Sequence, residues 1–198
     1  MTFEDLDLDS ALLKAVNEQK LHKPTPIQEV AIPALMERLD VLAGAATGTG
    51  KTAAFVLPAL QYLLDEPQHA NQPRILMLAP TRELAFQIHK VIKQLSAYCE
   101  FPSVIITGGF KMSQQIESLK RPCDILVATP GRLAKIVEED EINLSDIEML
   151  IIDEADRMLD MGQGPTVRAL LEAIPGDFQA GLFSATLAGG GVEKFAAE

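Results

Sequence analysis

The chain is predicted to be an α/β domain with a mainly parallel sheet and helices on both faces. Three observations predict it. Short runs rich in Val, Ile and Leu alternate with longer helical stretches across the 198 residues, the pattern of strands joined by crossover helices. The apolar runs do not alternate with polar residues, as expected of strands covered on both sides. The length suits one sizeable domain burying roughly 70% of its unfolded-chain surface, and an apolar fraction of 47% supplies that core without disulfides or structural metal.

Leu6–Glu37 reads as a helical unit preceding the sheet, dividing the chain into residues 1–37 and 38–198. Within it, Thr25-Pro26-Ile27-Gln28 is a capping box with Pro at the first helical position. Thr25 would cap, and Gln28 would reach back to the Thr25 amide. The strand candidates are Val41–Gly44, Arg74–Ala79, Ser103–Thr107, Asp124–Ala128, Met149–Asp153 and Gln179–Ser184. Helix candidates between and after them are Lys51–Leu64, Arg82–Ala97, Met112–Leu119, Gly131–Glu138, Thr166–Ala173 and Val192–Ala197. Asp65–Pro73 and Glu138–Ser145, rich in charge and turn formers, read as surface connectors.

Composition excludes several classes. The net charge of −11 argues against a general polyanion binder, so any nucleic acid must be held by local features. No apolar run reaches the ~18 residues of a membrane span. The acidic start Met1-Thr2-Phe3-Glu4-Asp5 lacks the pattern of a signal peptide. Cys99 and Cys123 form no metal-ligand spacing and suit reduced thiols in a cytoplasmic protein. His22, His69 and His89 share no spacing for metal or catalysis, and Met77, Met112, Met149, Met158 and Met161 are expected to fill core space.

Two stretches carry chemistry. Ala45-Ala46-Thr47-Gly48-Thr49-Gly50-Lys51-Thr52 lies between a strand and a helix candidate and reads as a phosphate-cradling loop. Small residues let backbone N–H groups close on an anion, Lys51 adds charge, and Thr52 offers a hydroxyl to magnesium. Ala45 stands where the generic pattern has its first Gly. Met149-Leu150-Ile151-Ile152 delivers Asp153, Glu154 and Asp156 at the carboxyl end of a buried strand. Asp153 would hold magnesium through water, and Glu154 would orient or deprotonate the attacking water. Alone, the first stretch would pass for a Gly-rich turn and the second for a solvated acidic helix start. Their pairing points to hydrolysis of a nucleoside triphosphate.

At these residues the chain resembles the DEAD-box ATP-dependent RNA helicases, whose name Asp153-Glu154-Ala155-Asp156 spells. Pro24-Thr25-Pro26-Ile27-Gln28, Pro80-Thr81-Arg82-Glu83-Leu84, Gly108-Gly109, Thr129-Pro130-Gly131-Arg132 and Ser184-Ala185-Thr186 follow in the family's order. The resemblance implies the first of two RecA-like, P-loop NTPase domains, using ATP and Mg2+. It implies that Gln28 reads the adenine edge, with Pro26 beside it. Leu21 stands where the family stacks an aromatic ring on adenine, and Gln163 where it has Phe. Pro80, Thr81, Arg82, Gly108, Gly109, Thr129, Pro130, Gly131 and Arg132 match RNA-contact positions, for a single strand or duplex end with little sequence preference. Asp156, Ser184 and Thr186 are expected to link the nucleotide site to that surface.

Nothing in the 198 residues matches the family's second domain, which supplies arginine fingers and half of the RNA groove. Such a finger is worth ~10³–10⁵ in rate in related hydrolases. The isolated domain is therefore expected to be a monomer that binds nucleotide, hydrolyses it very slowly and does not unwind duplexes. Two other classes fit the loop-and-acid pair. A P-loop ATPase acting on DNA would show no preference for ribose, and a scaffold without turnover would bind nucleotide poorly, as Leu21 suggests.

Overall fold

Six apolar runs pair into one sheet. In the computed structural model, which describes residues 1–68 and 71–198, the strands are β1 (Val41–Gly44), β2 (Ile75–Leu78), β3 (Ser103–Ile106), β4 (Ile125–Ala128), β5 (Met149–Ile152) and β6 (Gln179–Ser184). Their order is β1-β6-β5-β2-β4-β3, and all five pairings are parallel. His69, within the expected Asp65–Pro73 connector, lies outside the described residues.

Strand pleating explains the absence of alternation. Ile75, Met77, Ile125, Val127, Met149, Ile151 and Phe183 face one apolar cluster; Leu76, Leu78, Leu126, Leu150, Ile152 and Leu182 face another. Each such side chain contributes roughly 1.5–3 kcal/mol of burial. The first cluster is covered by α1 (Ser10–Glu18), α2 (Pro26–Met36), α3 (Lys51–Asp65) and α4 (Arg82–Leu95). The second lies under α6 (Pro130–Glu138), α7 (Ala155–Asp160), α8 (Gly164–Glu172) and α9 (Gly191–Ala196), with Met112 and Leu119 of α5 (Met112–Leu119) packed against it.

The N-terminal unit is two helices and a short 3-10 turn (Glu4–Leu6), not one continuous helical stretch. Leu12, Ile32 and Leu35 share the first cluster with α3, so this unit is packed into the same core as the sheet. The helix α7 has no counterpart among the expected helices. Its six residues are too few to display a periodic stripe, and only Ala155 and Met158 are buried. Helix α4 shows why the longer helices were readable. Thr81 accepts a hydrogen bond from the Leu84 N–H at 3.3 Å, and Leu84, Ala85, Ile88, Ile92 and Leu95 form its buried stripe.

The strand order sorts the carboxyl-end loops along one rim, where ligands of open parallel sheets bind. Residues 45–50 leave β1 and residues 153–154 leave β5, with the end of β6 between them. The Pro80-Thr81, Thr129 and Gly108-Gly109 turns leave the neighbouring β2, β4 and β3.

Candidate functional site

The turn after β1 is built for close backbone approach. Gly48 and Gly50 adopt left-handed conformations (φ 81° and 85°), and Thr49 Oγ1 donates to the Ala46 carbonyl at 2.6 Å. Gln28 braces the turn from α2. Its Oε1 accepts from the Thr25 N–H at 3.0 Å and its Nε2 donates to the Gly50 carbonyl at 3.1 Å. A Cβ on Gly50 would sit 2.4 Å from that Nε2, so this turn and Gln28 fit together only with glycine. Both ends of the Gln28 amide are thus engaged internally, and the side chain is buried. Lys51 opens α3 with 7% exposure, and its Nζ is buried without a hydrogen-bond partner.

The turn after β5 faces the same space. Burial pushes the Asp153 carboxyl up to about 6, while Lys51 and the Glu154 N–H pull it down. That N–H donates to Asp153 Oδ1 at 2.9 Å. Glu154 itself is left-handed (φ 50°, ψ 50°), a conformation that costs a residue with a Cβ on the order of 1–3 kcal/mol. It turns the chain sharply from strand to helix, and Arg157 pairs with Glu154 Oε2 at 3.3 Å. Lys51, Thr52, Thr47, Gly48, Gly50, Gln28, Leu21, Asp153 and Glu154 line one cleft of about 390 Å³. Pro26, Ala46 and Thr49, expected beside the nucleotide, do not line it. Pro26 instead starts α2, and the other two brace the turn.

Between the two turns, Thr186 donates to Asp156 Oδ2 from both its N–H (3.1 Å) and its hydroxyl (3.0 Å). Ser184 Oγ accepts from the Asp156 N–H at 3.3 Å and donates to the Thr186 carbonyl at 2.7 Å. Burial raises the Asp156 carboxyl, but hydrogen bonds from the Arg157 N–H and from Thr186 outweigh it and hold the group below its ordinary value. The Ser184 carbonyl also accepts from the Ala45 N–H at 2.9 Å, joining this network to the glycine-rich turn.

A second, more open groove of about 380 Å³ gathers Pro80, Thr81, Arg82, Gly108, Thr129, Gly131 and Arg132. Arg132 Nη1 donates to the Phe110 carbonyl at 2.9 Å and to Gln115 Oε1 at 3.2 Å. The left-handed turn at Gly109 (φ 86°) receives Arg82, whose Nη1 would lie 1.8 Å from an added Cβ, so the room it provides is taken by that guanidinium. Pro130 is buried as the first residue of α6, away from the groove lining. Thr129 precedes α6 without a side-chain capping bond, unlike Thr81. Met161 is half exposed and lines the groove instead of filling the core.

Comparison with known proteins decides the family. The model of the DEAD/DEAH box helicase family matches residues 25–195. The chain belongs to that family. ATP-dependent RNA helicase SrmB of Haemophilus influenzae is 47% identical over 188 residues, covering 94% of this chain and 43% of the relative. SrmB of Escherichia coli is 44% identical over 196 residues, covering 98% and 44%. The chain thus spans less than half the length of these curated relatives. The crystal structure of a DEAD box protein from the hyperthermophile Methanococcus jannaschii superposes with a TM-score of 0.92 at 33% identity. That match covers all of this chain and 53% of the other. The six-stranded parallel sheet is therefore the RecA-like architecture of a DEAD-box domain.

Several site residues of this DEAD-box domain were not readable in advance. Gln87, Val91 and Gln94 of α4 line the cleft beside Leu21. Their spacing of four and three residues places them on one helix face, but only the fold shows which wall they meet. Gln163 spans to the groove, its Nε2 donating to the Pro80 carbonyl at 3.1 Å. Lys135, one turn after Gly131 and Arg132, also lines the groove.

Proposed function

We propose that this chain is the ATP- and RNA-binding first half of an ATP-dependent RNA helicase that remodels RNA duplexes. The observation that carries the reading is Lys51, a buried cation with no hydrogen-bond partner, facing the same cleft as Asp153. A buried charge is costly unless a ligand completes it, and a triphosphate does so. Backbone N–H groups of residues 48–52 and Lys51 bind its phosphates. Gln28 reads adenine by exchanging the Gly50 carbonyl for the base edge, while Leu21 offers an aliphatic wall.

The donors suit magnesium. Among the described residues there is no cluster of three or more His, Cys, Asp or Glu that makes a metal cage. One carboxylate beside a phosphate loop is the set that Mg2+ uses, with water and phosphate completing its shell. Thr52 and Asp153 would hold it, and when bound it supplies positive charge against the phosphates. Glu154 orients the attacking water once nucleotide binding draws it from Arg157. Asp156, Thr186 and Ser184 connect these events to the RNA groove.

In that groove Thr81, Arg82, Thr129, Gly131 and Arg132 hold the sugar–phosphate backbone of a single strand or duplex end, with little sequence preference. A second RecA-like domain, carried outside these residues, completes both sites. The two cysteines are unpaired, which accords with a cytoplasmic protein, and among the described residues no helix is long and apolar enough to cross a membrane.

Calorimetric titration with ATP and Mg2+, followed by comparison of a single-stranded RNA with its DNA counterpart, tests the reading. One nucleotide site and tighter RNA binding are expected, since the 2′-OH distinguishes the strands. Hydrolysis by the isolated chain is expected to stay very slow. Absence of nucleotide binding overturns the proposal, and equal RNA and DNA binding replaces it with a DNA-directed motor.

A further inference from the structure

Phe86 and Phe110 are two of eight phenylalanines in a chain without tryptophan, yet they stand in solvent, 43% and 50% exposed. Their rings pair at 6.0 Å between centroids with a 58° tilt. Phe86 comes from α4, one turn beyond Arg82, and Phe110 directly follows Gly108-Gly109. Arg132 fixes the Phe110 carbonyl, and Arg82 lies against Gly109. The ring pair is therefore anchored by the same two arginines that line the groove. The rings line a shallow pocket of about 220 Å³ together with Ile105, Thr107, Gln114, Gln115 and Ser118.

We infer that Phe86 and Phe110 form a stacking step for one nucleobase of the strand whose backbone lies in the adjacent groove. The inference rests on the RNA reading above and adds a base contact to it. Two features favour a base over an apolar protein side chain. The step is continuous with a groove carrying Arg82, Arg132 and Lys135, with Lys111 next to it on the chain, so a polyanion is held at its edge. The Gln114 carboxamide beside an aromatic face also suits a flat heterocycle with polar edges, whereas Thr107, Gln115 and Ser118 are engaged in internal hydrogen bonds. A stable protein interface needs roughly 800 Å² on each partner, far more than two rings present.

The test compares a short oligouridylate with an abasic strand carrying the same number of phosphates. The parent chain should bind the base-bearing strand more tightly by roughly 5- to 150-fold, the range that base–aromatic stacking supplies. Phe110→Ala should remove most of that difference while leaving abasic binding unchanged, and Phe110→Tyr should restore it. Phe110→Trp would place the only tryptophan of the chain at the step; its fluorescence should change on adding oligouridylate and not the abasic strand. Equal binding of both strands by the parent overturns the stacking step and leaves the phosphate groove standing. Failure to bind either strand overturns the groove and the step together. A loss in Phe110→Ala that is the same for both strands would assign the ring to holding Gly109 and Arg82, and the inference would fail.

Discussion

The two sites on the carboxyl rim are built in opposite ways. In the cleft between β1 and β5, Lys51 is buried without a hydrogen-bond partner and Asp153 is held up near 6 by burial. In the groove beyond β2, Arg132 already donates to Phe110 and Gln115, and Arg82 rests against Gly109. The cleft thus stores unfavourable electrostatics that a ligand relieves, whereas the groove is assembled in advance and open to water. Large effects per residue belong to the first, small and distributed ones to the second. The Ser184–Asp156–Thr186 network lies between the two turns of the cleft, because β6 lies between β1 and β5.

The strongest challenge to this contrast is Lys51→Ala. Loss of a charge-assisted phosphate contact should lower affinity for Mg·ATP by roughly 10- to 150-fold, from ~1.5–3 kcal/mol. Calorimetry measures it. An unchanged affinity would remove the cleft from the account.

Next is the pH dependence of stability. Burial pushes the Asp153 carboxyl up to about 6 in the folded chain from its ordinary 3.8, so the folded state holds its proton more tightly than the unfolded one. Stability is therefore lost as pH rises from about 4 to about 6, and the full penalty is present at pH 7. Asp153→Asn should raise folding stability at pH 7 by on the order of 3 kcal/mol, with the gain vanishing near pH 4. Denaturant melts at the two pH values decide it. A destabilised variant at pH 7 would mean that Asp153 is not penalised by burial.

The groove should respond more gently. Gly109→Ala forces Arg82 from its seat and strains a left-handed turn, so affinity for single-stranded RNA should drop roughly 3- to 10-fold while Mg·ATP affinity stays the same. Smallest of all, Gln163→Ala removes the bond to the Pro80 carbonyl and should cost about 0.5–1.5 kcal/mol of stability, read by denaturant unfolding.

The contrast also shows what was legible in the amino-acid order. Strands such as Met149–Ile152 could be read because a doubly covered strand is apolar throughout, and Lys51, Asp153 and Arg132 because their neighbours form contiguous patterns. The sheet order could not be read, since β1 and β5 come together only through β6, the last strand of the chain. For the same reason Gln87 and Gln94 gave no advance signal: their helix face meets the cleft only after α4 packs beside α3. Gly109 was expected to admit a nucleic-acid backbone; that Arg82, 27 residues away in sequence, packs against it shows only in the fold. Met161 stands outside the core at the end of α7, one turn beyond the buried Met158.

The central claim is that the turns at residues 48–52 and 153–154 meet on one triphosphate. Manganese substituted for magnesium reports this directly, because its unpaired electrons broaden nearby amide signals in NMR spectra. With ATP present, the amides of Thr52, Asp153 and Glu154 should broaden together and those of the groove, such as Gly131, should not. Broadening at only one of the two turns would contradict the claim.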